Sequence, residues 1–432
     1  MARIAIIGAG ISGLGVAWLL NPGHEITIYE KEARLGGHSR TLTVNYDGRT
    51  IAVDTGFIVF NRPNYPHLTG LFTHLGVPVH KSDMSFSATI RNGWLEWGAR
   101  DLNAVFGQRR NLLSLRFAKL VRDVLHFNMA AEQMVQENPD ITLGTLIAHM
   151  GLGEWFRRYY LLPMAGAIWS CPTGQMMAFP ARTLVRFFAN HHLMSMNGQP
   201  QWYTVTGGSQ EYVKRLAASF AGRVRFRSGA VAVTRADGAA QVRDEDGHSE
   251  RYDHVVLACH GDEALDLLKD ADNRERVALS AFKYQKNIAV LHRDMRVMPR
   301  RRRCWASWVY SSDGAREHPD ITVHYWMNQL QGIAPSCPLF VSLNPAVDIP
   351  ENLTFDRHMF HHPVFDIAAI AAQPRVQSLQ GVRNTWYCGA YLGHGFHEDG
   401  LASAVQVARL FGSAIPWMDA AARSAAGLER AA

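Results

Sequence analysis

Cysteine is scarce in this 432-residue chain: Cys171, Cys259, Cys304, Cys337 and Cys388 lie far apart, form no C-x-x-C pair and are odd in number. That excludes a disulfide framework and a thiolate zinc site, and it suits a reducing compartment. No charge-free run of 18 residues reads as one that could span a bilayer, so no membrane span is expected. Internal repeats and low-complexity stretches are lacking too, apart from an alanine-rich end after Met418 that reads as a frayed or terminal helix. Neither sign of charge dominates, with a formal net charge of only +6, although the basic residues are clustered. The twenty histidines invite a metal reading at His191-His192 and at His358 with His361-His362. Without an H-E-x-x-H or a carboxylate at helical spacing, no metal is expected. At 47% hydrophobic and 19% charged residues, the chain has core enough for two domains.

What the chain does have is concentrated at its two ends. Residues 3–7 (RIAII) read as a buried strand, and Gly8-Ala9-Gly10-Ile11-Ser12-Gly13 follows at once, opening a helix to about residue 20. Gly8 allows the turn, Gly10 lets backbone approach a pyrophosphate, and Gly13 lets helix and strand pack closely. The helix start, with Ser12 in it, then offers unpaired N–H groups to the anion. A second strand, 25–30 (EITIYE), ends in Glu30, placed to accept hydrogen bonds from an adenosine ribose. A cleavable leader is not expected, because removing one would destroy this fingerprint.

The next segment, Glu30-Lys31-Glu32-Ala33-Arg34-Leu35-Gly36-Gly37, resembles the second motif of the glutathione-reductase-like flavoproteins, in the branch that includes amine oxidases, protoporphyrinogen oxidases and phytoene desaturases. The resemblance implies FAD, with Lys31, Arg34, Gly36, Gly37 and Arg40 near the cofactor. It also makes Asp54 and Gly56, in the D-x-G of 48–60, candidates for a loop near the flavin, the alternative being a plain turn between strands. Val231, at the start of a strand, joins this set.

Between the ends, residues 64–77 read as a helix closed by Gly76, and about 101–136 has the clearest helical period, with Arg109, Arg110, Arg116, Lys119 and Arg122 beside the apolar stripe. Such a helix either faces a core or lies on an anionic membrane. Shorter helices are expected at 142–150, 153–162 and 182–192, and another after Gly207-Gly208. Strands are expected at 224–227 and 231–234, and the run 253–260 returns a strand to the parallel sheet and delivers His260 to its ligand edge. Runs at 287–291, 305–310, 322–326 and 340–343 suggest an antiparallel sheet. Arg300-Arg301-Arg302-Arg303, beside Trp305 and Trp308, is either a solvated tip or a contact for lipid phosphates; no nucleic-acid motif accompanies it.

Residues 385–407 (TWYCGAYLGHGFHEDGLASAVQV) match the same family's final motif, which covers the isoalloxazine ring. Gly389, Ala390, Phe396, Glu398, Gly400, Leu401 and Ser403 are its candidate cofactor residues. Gly389-Ala390 stands where the family often has Gly-Asp, which leaves a carboxylate contact to the ribityl region open. No cysteine lies in the motif, so FAD is expected to be noncovalent.

The expected fold is α/β: a glutathione-reductase-like, Rossmann-type FAD domain (1–80, 205–275 and 380–415), discontinuous with an α+β substrate domain (81–204 and 276–379) containing an antiparallel sheet, and a tail (416–432). The phrases RRRRCWASWVY, HYWMNQLQG and SLNP resemble a bacterial branch of predicted NAD/FAD-binding proteins associated with cyclopropane or methyl-branched fatty-acyl modification. The resemblance implies an acyl-lipid substrate. The expected reaction passes a hydride from a C–H bond to flavin N5 while a base removes a neighbouring proton, leaving a double bond. His260, Tyr391, His394, His397 and Glu398 are the candidate polar groups, although His397 and Glu398 equally suit ordering of the helix start. Segments 164–169 and 193–202 are candidate linings of an acyl tunnel or plain core. An amine oxidase and a flavin-binding accessory subunit without turnover remain open. The expected location is cytoplasmic, soluble or peripheral at the inner membrane surface.

Overall fold

The structure is a computed structural model that describes residues 1–169, 176–194, 198–218, 222–314 and 322–418. Cys171, residues 195–197 of the second candidate tunnel segment and the alanine-rich end from 419 lie outside the described residues. The opening strand Arg3–Ile7 is the centre of a five-stranded sheet with Glu25–Glu30 and then Arg223–Phe226 on one side, His254–Leu257 and then Thr385–Tyr387 on the other, every pair parallel. Its unbroken apolar run follows from burial on both faces. Ile4 and Ile6 pack with helices Ile11–Leu20 and His397–Leu410, while Ala5 and Ile7 face the side closed by the antiparallel strands Ala230–Ala236, Ala239–Asp244 and Ser249–Tyr252.

A second, seven-stranded sheet runs in the order Thr354–Val364, Lys283–His292, Phe340–Leu343, Thr322–Trp326, Trp308–Ser312, Phe86–Ile90, Leu95–Gly98. All its pairs are antiparallel except Trp308–Ser312 with Phe86–Ile90. One face packs on helices that include Leu115–Glu137 and Ala181–Asn190, forming the largest core. Met164, Ala165 and Ala167 belong to that core. The mixed α/β fold and the antiparallel sheet expected from the sequence are both present. Among the described residues, no helix is long and apolar enough to cross a membrane.

The single helix expected over 101–136 is three pieces. Asp101 caps Leu102–Val105, a 3-10 turn covers Arg109–Leu113, and Ser114 caps Leu115–Glu137 by accepting from the Phe117 amide at 3.2 Å. Two N-caps inside one apolar period mark two starts. The eleven-residue strand Thr354–Val364 (TFDRHMFHHPV) was not expected. Its histidines, Asp356 and Arg357 mask the apolar alternation that normally reveals a strand.

The outer face of the seven-stranded sheet buries a polar chain. The Asp294 amide donates to His292 Nδ1 (3.1 Å), which leaves His292 Nε2 to donate to Ser342 Oγ (2.7 Å) and Ser342 to donate to His324 Nδ1 (2.6 Å). Burial lowers the pKa of His292 to about 4 and that of His324 to about 3. The folded state therefore binds fewer protons than the unfolded one below the ordinary histidine pKa. This contribution is fully present above about pH 6.5 and is lost as pH falls. His324→Gln keeps an acceptor for Ser342 and removes one titrating ring. Thermal unfolding followed from pH 6.5 to pH 4 should show a slope flatter by about 1.4 kcal/mol per pH unit; an unchanged slope would mean that His324 does not carry it.

Candidate cofactor and active site

Gly8 adopts φ +102°, and its amide donates to Tyr29 O at 2.8 Å. A Cβ on Gly13 would collide with the Gly8 carbonyl, whereas one on Gly10 would meet nothing within 4 Å. Helix and strand are thus in backbone contact, and the turn between them is open on one side. Gly10 is the N-cap and supplies no capping side chain, so the first-turn amides at Ile11, Ser12 and Gly13 have no side-chain partner although all three residues are buried. The second glycine pair closes on the first: the Gly36 amide donates to Ala9 O at 2.8 Å, and a Cβ on Gly37 would lie 3.1 Å from Gly10 Cα.

Glu30 is buried at the end of its strand, with one carboxylate oxygen accepting from the Ala9 amide (2.8 Å) and the other from the Glu32 amide (2.8 Å). Burial raises its pKa and the two amides oppose that. Lys31 pairs with Glu263 at 2.6 Å; Gly229 packs beside Lys31, and Val231 lies two residues on, 39% exposed. The Arg34 guanidinium donates to the carbonyl of Gly37 at 2.8 Å and more weakly to those of Ser39 and Leu35, so it braces the glycine loop from within. Arg40 makes a two-pronged pair with Asp356 of the seven-stranded sheet, at 2.8 and 3.1 Å.

The last helix, His397–Leu410, repeats the arrangement of the first. Its N-cap, Phe396, makes no side-chain cap, and the Phe396 amide donates to Asp399 at 2.8 Å. A Cβ on Gly400 would come within 2.9 Å of Ile11 and Ser12, and one on Gly15 within 2.8 Å of Leu401. The two helices therefore run side by side in one direction with their N-terminal turns together. Ser403 Oγ accepts from the Gly389 amide (2.9 Å) and donates to Gly400 O (2.7 Å), which ties the Gly389-Ala390 turn to this helix.

Each of the four candidate catalytic residues has its own surroundings. Both Glu398 oxygens accept backbone amides, of His67 (2.8 Å) and Leu68 (2.9 Å), at the start of helix Pro66–His74; burial raises its pKa to about 7. His397 stacks on Phe57 with ring centroids 4.0 Å apart, and its Nε2 meets Tyr212 Oη at 2.8 Å; burial lowers its pKa to about 3. Tyr391 is buried against Phe282 with its hydroxyl unpartnered. His260 stacks on Tyr284. Asp54 is fully buried and accepts from Thr41, from the Ser209 amide and hydroxyl, and from Gln331; burial raises its pKa to about 6. A Cβ on Gly56 would collide with His38 O.

His38, absent from the sequence-based set, is the centre of a ring cluster. It stacks on Phe360 (4.9 Å) and lies near His362 (5.5 Å) and His260 (6.3 Å), and burial, then its histidine neighbours, hold it well below the usual range. The signal was its place directly after Gly37. The histidines at 358, 361 and 362 that invited a metal reading belong to this seam. The group of potential ligands close enough for one ion, among the described residues, is instead Asp244, Asp246 and His248.

Between helix Ala181–Asn190 and the loop before the last helix lies a cavity of about 60 Å³ lined by Phe179, Thr183, Phe365, Ile370, Gln373, Gly393 and His394. Phe187 stacks on Phe396 at 5.1 Å beside it.

The profile of the family described as "Flavin containing amine oxidoreductase" matches residues 11–291. The chain belongs to this family. FAD is accordingly its cofactor, and the structure offers a fit: two uncapped helix starts side by side, an open turn at Gly10 and a buried acid at Glu30. A protein provisionally named a flavin-containing monoamine oxidase, of Mycobacterium tuberculosis, is 24% identical over 57% of this chain and 54% of its own length. The chain thus spans about half the length of the curated relatives it matches. Among solved structures, the fatty acid isomerase of P. acnes that produces CLA superposes with a TM-score of 0.67 at 18% identity, over 95% of this chain and 99% of that one. Putrescine oxidase gives 0.66 at 13% identity, over 95% and 98%. Identities this low show a shared fold.

Gly13→Ala places a methyl group against the Gly8 carbonyl. It should cost about 3 kcal/mol or more in stability and leave purified protein with little flavin, checked by thermal unfolding and by absorbance. Full flavin content at unchanged stability would contradict the packing.

Proposed function

We propose that this chain is an FAD-dependent oxidoreductase that removes hydrogen from a C–H bond of a hydrophobic, fatty-acyl substrate and leaves a desaturated product. The observation that carries this reading is the lining of the cavity beside Phe396: among the described residues, two phenylalanines, an isoleucine and small or neutral polar groups, with no carboxylate. A cationic amine would call for a negative partner there. Asp399, whose carboxylate lies against Gly393 of that lining, is held by the Phe396 amide, and burial raises its pKa.

FAD, when bound, supplies the two-electron acceptor. The chain's own part is to hold it and to exclude water. The glycine turns at 8–13 and 36–37 with the first-turn amides of both helices would take its phosphates and ring, and Glu30 its ribose. Attachment would be noncovalent, since the last motif, residues 395–405, carries no cysteine. The Phe187–Phe396 stack and the apolar core behind it favour an acyl chain over a polar substrate. His394, on the cavity wall with Thr183 and Gln373, would be the titratable group to take a substrate proton.

Anaerobic mixing of the yellow holoprotein with dispersed unsaturated and saturated phospholipid, and separately with a panel of primary and polyamines, tests this. Bleaching by acyl lipid, with a new double bond in the recovered lipid, is the expected result. Bleaching by amines alone would make the protein an amine oxidase. No bleaching by either would favour an accessory role.

A further inference from the structure

The chain exposes leucines where an ordinary surface would not. Leu113 is 91% exposed, Leu115 89%, Leu102 70% and Leu112 60%, all within fourteen residues around the 3-10 turn Arg109–Leu113. The turn is anchored from beneath by two buried amide side chains. Gln108 accepts from the Glu96 amide (2.7 Å) and donates to Trp94 O (2.9 Å), and Asn111 donates to Glu96 O (3.2 Å). A fixed scaffold thus holds the leucines in water. Isolated exposed leucines need no explanation, but four on one rigid tip mark an interaction surface.

The charge around the tip has one sign. Arg109, Arg110 and Arg116 are exposed there, and Arg303 joins them because its segment packs on Gly107. Of the acids in this region, Asp101 caps its own helix and pairs with Arg100, and Glu96 is buried against Arg301. The arginine quartet is not a free patch in itself: Arg301 is committed to Glu96, and Arg302 lies over the Trp305 ring at 3.7 Å. The leucines, not the quartet, lead the surface. Half-exposed Trp94, whose carbonyl accepts from Arg110, stands at its rim.

We infer that this tip inserts into the interfacial layer of an anionic lipid bilayer. Side chains bare on nearly every side suit a fluid apolar layer better than a fitted protein pocket, and arginines ringing them match anionic headgroups. The inference rests on this surface alone and stands whether or not acyl lipid is the substrate.

Flotation of the holoprotein with phosphatidylcholine vesicles, with and without phosphatidylglycerol, tests it. The protein should float with the anionic vesicles, at least tenfold less at high salt, and at least tenfold less as the Leu113→Ser/Leu115→Ser variant. Arg110→Gln/Arg116→Gln should lose several-fold on anionic vesicles. Flavin content and thermal unfolding of both variants should match the parent, since all four positions are exposed. Absence of flotation with anionic vesicles, or flotation unaffected by the leucine substitutions, would overturn the inference. So would a dimer in light scattering that the leucine variant converts to monomer while vesicle binding is unchanged.

Discussion

Two helix starts, one from each end of the chain, lie together without capping side chains, and the rest of the structure is arranged around that fact. The contact requires backbone at close range: side chains at Gly13, Gly15 or Gly400 would drive strand and helices apart. Parallel helices with adjacent N-terminal turns also bring like dipole ends together, which is unfavourable unless an anion or electron-rich group lies against them. Uncapped amides in buried residues carry a further cost until they find an acceptor. A ligand that met both N-terminal turns would relieve both costs and so link its binding to folding.

The polar residues around this site are engaged with one another. Glu398 accepts the amides at the start of Pro66–His74, Asp54 gathers donors from three segments, and Ser403 holds the Gly389 turn. The acid and histidine of GFHEDGL are thereby committed to positioning the last helix, with His397 kept neutral by burial. Such a site has few groups of its own for proton transfer. On the function proposed above, its chemistry would reside in the cofactor, and selectivity would fall to the wall contributed by Ala181–Asn190 and by residues 363–370.

The parallel sheet and both glycine motifs were legible because their constraints are local: a strand buried on both faces must be continuously apolar, and a turn with positive φ must be glycine. The helical period at 101–136 was legible as apolar spacing, but the two caps that divide it, Asp101 and Ser114, are single polar residues easily absorbed into one period. The seam between the glycine loop and the seven-stranded sheet was not legible. Asp356 finds Arg40 across more than three hundred residues, and His38 finds His362; no spacing in the sequence relates them. Asp54 illustrates the same limit, since its place in a D-x-G gave no sign of its partners Thr41, Ser209 and Gln331.

The strand Thr354–Val364 reconciles these observations. Side chains along a strand alternate, so Asp356, His358, Phe360 and His362 share one face. That face meets the cofactor loop: Asp356 takes Arg40, and Phe360 and His362 take His38. Beyond its end, Phe365 lines the cavity and packs against Gly395 in the loop before the last helix. One strand thus touches the glycine loop at its start and the cavity at its finish, and its ladder with Lys283–His292 fixes the register between them. A shift of one residue would turn the Asp356 face away from the loop and expose the rings to the opposite side. The pairing, continuous from Asp356 to Val364 and shifted only before Asp356, therefore couples the geometry of the glycine loop to that of the cavity wall, which is why polar residues occupy a strand whose apolar pattern alone would not have defined it.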